Sequence, residues 1–213
     1  DRDGALAERT AEMIRSEGGH GRALAFAADV TRDAECQAAV EAAVRTFGRV
    51  DILVNNAGAT WGAPIEEFPE KGWDKVMDIN VKSPFFLTQA LLPLLEKAAS
   101  AADPARIIMI GSVDGLNVNS MPTFSYGPSK AAVHHLARTF AAHFAARHIT
   151  ANAIAPGPFP SQMMAATLEK VGDKIRAGVP LHRIGEAADM AGTAIYLCSK
   201  AASYVTGVVI PVD

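Results

Sequence analysis

The chain has 213 residues, 49% of them hydrophobic and 20% charged, with a formal net charge of −3. That apolar content can fill the core of one α/β domain, and the slight negative charge excludes the basic footprint that nucleic acids or anionic membranes select. The longest apolar run, Phe85 to Leu95, is interrupted by Thr88, Gln89 and Pro93 and is too short to span a bilayer.

In chain order, Ala5 to Ser16 has a helical pattern closed by Gly18-Gly19. Ala23 to Ala28 is expected as a short apolar strand ending at Asp29. Thr31 is placed to cap a helix whose Cys36, Val40, Val44 and Phe47 form one stripe, with Gly48 as its stop. Ile52-Leu53-Val54 reads as a buried strand running straight into Asn55-Asn56-Ala57-Gly58. A helical region follows from about Glu70 to Lys97, with bends expected at Pro84 and Pro93. Ile107 to Ile110 is the next strand and delivers Ser112 at its carboxyl end. Tyr126 opens an alanine-rich helix reaching about Arg147, and Thr150 to Ala155 forms a strand ending in Pro156-Gly157. Residues 158 to 185 are expected to be irregular, Ala187 to Ser199 helical, and Val208 to Val212 a final strand. Alternating helices and strands imply a parallel sheet with helices on both faces. With no internal repeat or linker, residues 1–213 read as a single domain. Cys36 and Cys198 lie far apart in helical patterns, so buried thiols in a reducing cytoplasm are expected rather than a disulfide.

Chemistry concentrates in Tyr126-Gly127-Pro128-Ser129-Lys130. Four residues make about one helical turn, so the phenol of Tyr126 and the ammonium of Lys130 share a face. A phenol, with an ordinary pKa of about 10, is a poor acid at neutral pH. A cation held beside it favours the phenolate and brings the group toward the range useful for proton transfer. Ser112 stands fourteen residues upstream, across a loop. A Tyr and a Lys at this spacing are common by chance. Asn55-Asn56-Ala57-Gly58, Asn80 in Ile79-Asn80-Val81, and Pro156-Gly157 accompany them in order.

Taken together, these ordered motifs resemble the short-chain dehydrogenase/reductase family over essentially the whole chain. Trp61, the insert after Leu95, Tyr-Gly-Pro-Ser-Lys and Phe159-Pro160-Ser161 are most similar to its β-ketoacyl reductases of the rhamnolipid-synthesis type. The resemblance implies a Rossmann-type doubly wound parallel sheet in three α/β/α layers. It also implies an NAD- or NADP-dependent oxidoreductase that moves a hydride between the nicotinamide and a small carbonyl or secondary alcohol, such as a 3-oxoacyl compound. Tyr126 would then be the proton donor, Ser112 the hydrogen-bond partner of the reacting oxygen, and Lys130 both the modulator of Tyr126 and a ribose ligand. Asn80 would hold a water linking Lys130 to solvent. Cofactor contacts would come from Asp29 and Val30, from Asn55, Asn56, Ala57 and Gly58, and from Pro156, Gly157, Phe159 and Ser161. Asp1 favours NAD and Arg2 a 2′-phosphate, so both cofactors stay open. The alanine-rich helix, in such proteins, helps to build homodimers or homotetramers.

Other residues carry weaker expectations. Trp61, Met121, Phe124, Phe159, Met163 and Met164 surround the site in sequence and read as an apolar pocket or as core. The histidines at 134, 135, 143 and 148 lack acidic or cysteine partners, so no metal site is expected. Relative to the family pattern, the sequence lacks the first strand, Gly-rich turn and second strand, and it stops short of the glycines that usually follow the last strand. A fragment cut at both ends is the expected reading, with natural loss of the phosphate-binding loop as runner-up. The alternative function is then a non-catalytic relic or interaction module.

Overall fold

The computed structural model of the protein describes residues 1–16, 22–161 and 164–213. Its centre is a parallel sheet in the order β1 (Ile52–Asn55), β2 (Ala105–Ile110), β3 (Ile149–Pro156), β4 (Val209–Val212). The register pairs Leu53 with Ile107, Ile107 with Ala151, and Ala153 with Val209. A parallel sheet needs cover on both faces, and alternation along each strand sends side chains to two cores. Ile107, Met109, Ala151 and Ala153 meet Leu91 and Leu95 of α4 (Ser83–Ala98) and Val133, Ala137 and Phe140 of α5 (Tyr126–Phe144). Ile108 and Ile154 face the other way, against Leu197 of α7 (Ala187–Cys198). α2 (Asp33–Phe47) packs beside α4, and α1 (Gly4–Ser16) buries Ala11. The three layers are thus the Rossmann-type α/β/α arrangement.

Several local expectations need correction. Residues 23–28, expected to form a strand, adopt no regular element. Their ladder-like hydrogen bonds reach a single residue: Ala28 N–H donates to the Asp1 carbonyl (2.9 Å) and the Asp1 amine to the Phe26 carbonyl (3.3 Å). One partner residue is not a neighbouring strand. Ile52 and Val54, expected to be buried, are 38% and 49% exposed. They lie on the edge strand β1, and α7 packs against β2, β3 and β4, leaving that face of β1 open.

The long helical region breaks at a π turn, Asp78–Lys82, between α3 (Glu70–Met77) and α4, rather than at a proline. Pro84 sits in the first turn of α4, where its missing N–H costs nothing, and the helix runs on through Pro93. α6 (Ala165–Gly178) fills the middle of the stretch expected to be irregular. Arg32, not Thr31, is the N-cap of α2, because the Thr31 N–H and hydroxyl both donate to Asp29 Oδ1 (3.0 and 2.7 Å). Gly48 does end α2, in the left-handed conformation at φ 81°. Phe47, expected within the buried stripe, is 38% exposed beneath the Arg22 guanidinium. The Gly18-Gly19 stop lies outside the described residues. Cys36 and Cys198 are free thiols. Among the described residues, no helix is long and apolar enough to cross a membrane.

Candidate active site

Because all four strands run the same way, their carboxyl ends open on one edge, where ligands of such sheets bind. Asn55 closes β1, β2 leads through Gly111 to Ser112, and Pro156 closes β3. α5 starts at this edge with Tyr126, so Tyr126 and Lys130 face the exit of β2. A clamp fixes their relative positions. Asn80, 1% exposed in the π turn, accepts the Ala59 N–H (2.8 Å) and donates to the Ala59 carbonyl and the Ser129 hydroxyl (both 2.9 Å). Ser129 donates in turn to the Tyr126 carbonyl (2.6 Å). The loop after β1, the π turn and α5 are therefore tied together through two side chains. The Asn80 amide thus ties three segments of protein together. Ser129 stands inside the Tyr-Gly-Pro-Ser-Lys motif, but its sequence gives no signal of this link.

The electrostatics depart from the sequence expectation. Lys130 is 4% exposed, and its Nζ donates to the Ile110 carbonyl (2.8 Å), 5.6 Å from the centre of the Tyr126 ring. Burial of the ammonium pulls its pKa down to about 8. The Tyr126 pKa is raised, not lowered. Burial is the main cause, the Ser112 hydroxyl pulls the other way, and the charge of Asp114 adds to the rise. Lys130 gives its hydrogen bond to the strand and leaves the phenol protonated. Asp114 is itself raised by burial, with an Asn119 hydrogen bond opposing. Ser112 has extended backbone (φ −168°), and its Oγ accepts the Asp114 N–H (3.2 Å), so its own proton is available to another acceptor.

The remaining candidates fall into separate groups. Asn55 is buried, its amide nitrogen donating to Thr88 Oγ1 (3.3 Å), whereas Asn56, Ala57 and Gly58 are exposed at the strand exit. A Cβ on Gly58 would come no nearer than 3.6 Å to Lys130 Nζ, so the fold itself does not require glycine there. Asp29 and Val30 occupy the turn before α2; burial and hydrogen bonding there are local, with Thr31 lowering the Asp29 pKa and Cys36 Sγ donating to the Val30 carbonyl (3.4 Å). No hydrogen bond or ion pair among the described residues joins that turn to the Asn80–Tyr126–Lys130 cluster. Pro156 and Gly157 are half-buried, and the Gly157 N–H donates to the Val212 carbonyl (2.9 Å). The Phe159 ring lies where a Cβ on Gly185 would approach within 2.4 Å, and Ser161 Oγ accepts the Met164 N–H (3.2 Å). Phe159, Val179, Leu181 and Arg183 line a cavity of about 220 Å³. On the other flank, Trp61 rests on Gly72, and Met121 and Phe124 are each 41% exposed. Met163 lies outside the described residues. Among those residues, no three His, Cys, Asp or Glu side chains gather to hold a metal.

Residues 1–213 match the family profile described as enoyl-(acyl carrier protein) reductase. The rhamnolipids biosynthesis 3-oxoacyl-(acyl-carrier-protein) reductase of Pseudomonas aeruginosa is 43% identical over 209 residues, 97% of this chain and 82% of that protein. The solved Pseudomonas aeruginosa RhlG/NADP active-site complex superposes with a TM-score of 0.91 at 43% identity, covering 100% of this chain and 83% of that one. The 3-ketoacyl-(acyl-carrier-protein) reductase of Brucella melitensis complexed with NADH gives a TM-score of 0.89 at 32% identity, covering 100% and 84%. Fold, ordered motifs and whole-chain likeness agree: the chain belongs to the short-chain dehydrogenase/reductase family.

Proposed function

We propose that residues 1–213 belong to one catalytic domain of an NAD(P)-dependent oxidoreductase that interconverts a carbonyl and a secondary alcohol, with 3-oxoacyl thioesters as the substrate class. The observation that carries this reading is the convergence of the Ser112 hydroxyl, the Tyr126 phenol and the Lys130 ammonium at the carboxyl edge of the sheet. The strand exits fit a nucleotide: Asn56, Ala57 and Gly58 are exposed, and Gly58 lacks a side chain that the fold would tolerate. Gly157, Phe159 and Ser161 would border the nicotinamide, and Asp29 and Val30 the adenine. The Arg2 side chain is 76% exposed and 4.0 Å from Asp29, which favours a 2′-phosphate and hence NADP. When bound, the dinucleotide supplies or accepts the hydride.

The chain's own residues then manage one oxygen and one proton. Ser112, with its proton free, donates a hydrogen bond to the substrate carbonyl oxygen and orients it toward the phenol. Tyr126 holds its proton at the phenol oxygen and releases it to that oxygen as negative charge develops there. Lys130 places positive charge behind the phenol and offers its ammonium to a ribose hydroxyl. Trp61, Met121 and Phe124 on one flank and Phe159 and Met164 on the other supply apolar surface for an acyl chain. The name of the Pseudomonas aeruginosa relative supports the thioester class. We expect the protein as encoded in full to oxidise NADPH with 3-oxoacyl thioesters faster than with simple ketones or sugars. A panel followed at the nicotinamide absorbance tests this, and consumption with no carbonyl in the panel would refute it.

The same reading includes pairing with a second copy. α5 buries Val133, Ala137, Phe140 and Ala141 on its own sheet and presents Ala131, His135, Arg138 and Ala142 outward at helical spacing. On α4, Phe85 and Phe86 are 40% and 44% exposed, more apolar surface than a helix facing only water needs. We expect light scattering to find a dimer or tetramer at micromolar concentration and Ala142→Arg to weaken it. A strict monomer contradicts the interface.

A further inference from the structure

α5 carries a third polar side chain on the face of Tyr126 and Lys130. His134 is one more turn along, 2% exposed, and no step described above uses it. Its surroundings are built closely around it. A Cβ on Gly111 would lie 2.0 Å from His134 Nε2, and one on Gly115 would lie 2.8 Å from His134 Cε1. Neither glycine has a positive φ, so neither is needed for backbone freedom. Gly111 makes room for the imidazole, and Gly115 first for the α5 backbone at Lys130 and Ala131 (2.6 and 2.7 Å) and then for the ring edge. The two glycines bracket Ser112, and the ring therefore sits under the loop that presents the Ser112 hydroxyl.

Hydrogen bonding gives the ring a task. As β2 ends, the Gly111 N–H still finds a strand partner, the Ile154 carbonyl at 2.7 Å. The next N–H, of Ser112, has left the ladder and points at α5, where it donates to His134 Nε2 at 3.4 Å. A buried backbone N–H needs such an acceptor. One turn earlier on α5, Lys130 donates to the Ile110 carbonyl. Successive points on the exit of β2 are thus tied to successive turns of the helix that bears Tyr126. Accepting through Nε2 requires that nitrogen to be unprotonated; burial, with the charges of Arg138 and Lys130, pulls the ring's pKa down, while the Gly115 backbone near the ring opposes this without making a full hydrogen bond to the buried Nδ1.

We propose that His134 is a positioning residue: as the neutral Nδ1–H tautomer it accepts the Ser112 N–H and sets the distance between the Ser112 hydroxyl and the Tyr126 phenol. This deepens the proposed oxidoreductase reading and rests on it. The test is a set of variants of the protein as encoded in full: His134→Leu, His134→Gln, Ser112→Ala and the His134→Leu/Ser112→Ala double, assayed with NADPH and a 3-oxoacyl thioester. Misplacing a reacting group by about an ångström costs on the order of 10²-fold in rate, so His134→Leu should lower kcat by about 10- to 100-fold with NADP affinity unchanged. His134→Gln, whose amide oxygen can accept the same N–H, should recover most of the loss. In the Ser112→Ala background the leucine should cost less than about threefold, because the group it positions is already gone. An equal cost in both backgrounds, or a glutamine as poor as leucine, overturns the proposal. If the leucine variant does not fold, the glutamine comparison stands, alongside 15N chemical shifts of His134 in the wild type. A pyridine-like Nε2 supports the proposal and a protonated Nε2 overturns it, whether or not any carbonyl is reduced; failure of the wild type to reduce any carbonyl counts against the oxidoreductase reading alone.

Discussion

Tyr126→Phe should lower kcat by about 10²- to 10⁴-fold, the usual worth of a positioned general acid. Nucleotide affinity should change little, since the ring and its packing remain. The reason lies in the protonation state. Burial, with the charge of Asp114 and against a Ser112 hydrogen bond, holds the phenol above its ordinary pKa, so it enters the reduction as an acid at neutral pH. Phenylalanine keeps the shape and removes the one transferable proton. Steady-state kinetics and a fluorescence titration with NADPH separate the two effects. Retention of more than about a tenth of wild-type kcat would remove Tyr126 from the role of acid.

The second large effect is at Lys130 and has opposite signs for activity and stability. Lys130→Met should abolish most activity and weaken nucleotide binding, because it removes the ammonium behind the phenol. It should also make the protein more stable at pH 7. The ammonium is 4% exposed, and its pKa in the fold is about 8, below the ordinary 10.5. Between those values the unfolded chain holds the proton more tightly than the folded one, so wild-type stability rises with pH through that window. Below it the full penalty applies, at most about 3 kcal/mol for such a difference. Losing the hydrogen bond to Ile110 takes back about 1 kcal/mol, so a net gain of about 1–2 kcal/mol is expected at neutral pH. By pH 10 most of that gain should be gone. Urea unfolding at the two pH values checks the sign. A variant less stable than wild type at pH 7, or an equal difference at both, contradicts it.

The shared face of Tyr126 and Lys130 at the start of α5 was legible because helical spacing is a local property. The strands at 105–110, 149–156 and 209–212 were legible for the same reason, as short apolar runs between loops. What could not be read was direction. Four-residue spacing puts Lys130 on the face of Tyr126, but nothing in it says that the ammonium turns to the Ile110 carbonyl and leaves the phenol's pKa raised. The roles of Ser129 and His134 depend on partners 49 and 22 residues away, Asn80 and Ser112. Gly111 looks like a loop glycine until the imidazole beside it is seen. The misplaced strand at 23–28 shows the converse: an apolar run becomes a strand only where another strand offers it a ladder. α6 was missed because Gly172 interrupts its apolar pattern and the helix itself is kinked at Val171 (φ −136°, ψ 18°).

Transfer of label from cofactor to substrate tests the proposed chemistry most directly. NADPH deuterated at the transferable position is incubated with a 3-oxoacyl thioester and the protein as encoded in full, and the product is examined by mass spectrometry. We predict one deuterium on the new carbinol carbon, with Tyr126→Phe showing the same label at a far lower rate. Product formed without label at that carbon, or no product under conditions in which the protein is folded and binds NADPH, would contradict hydride transfer at this site.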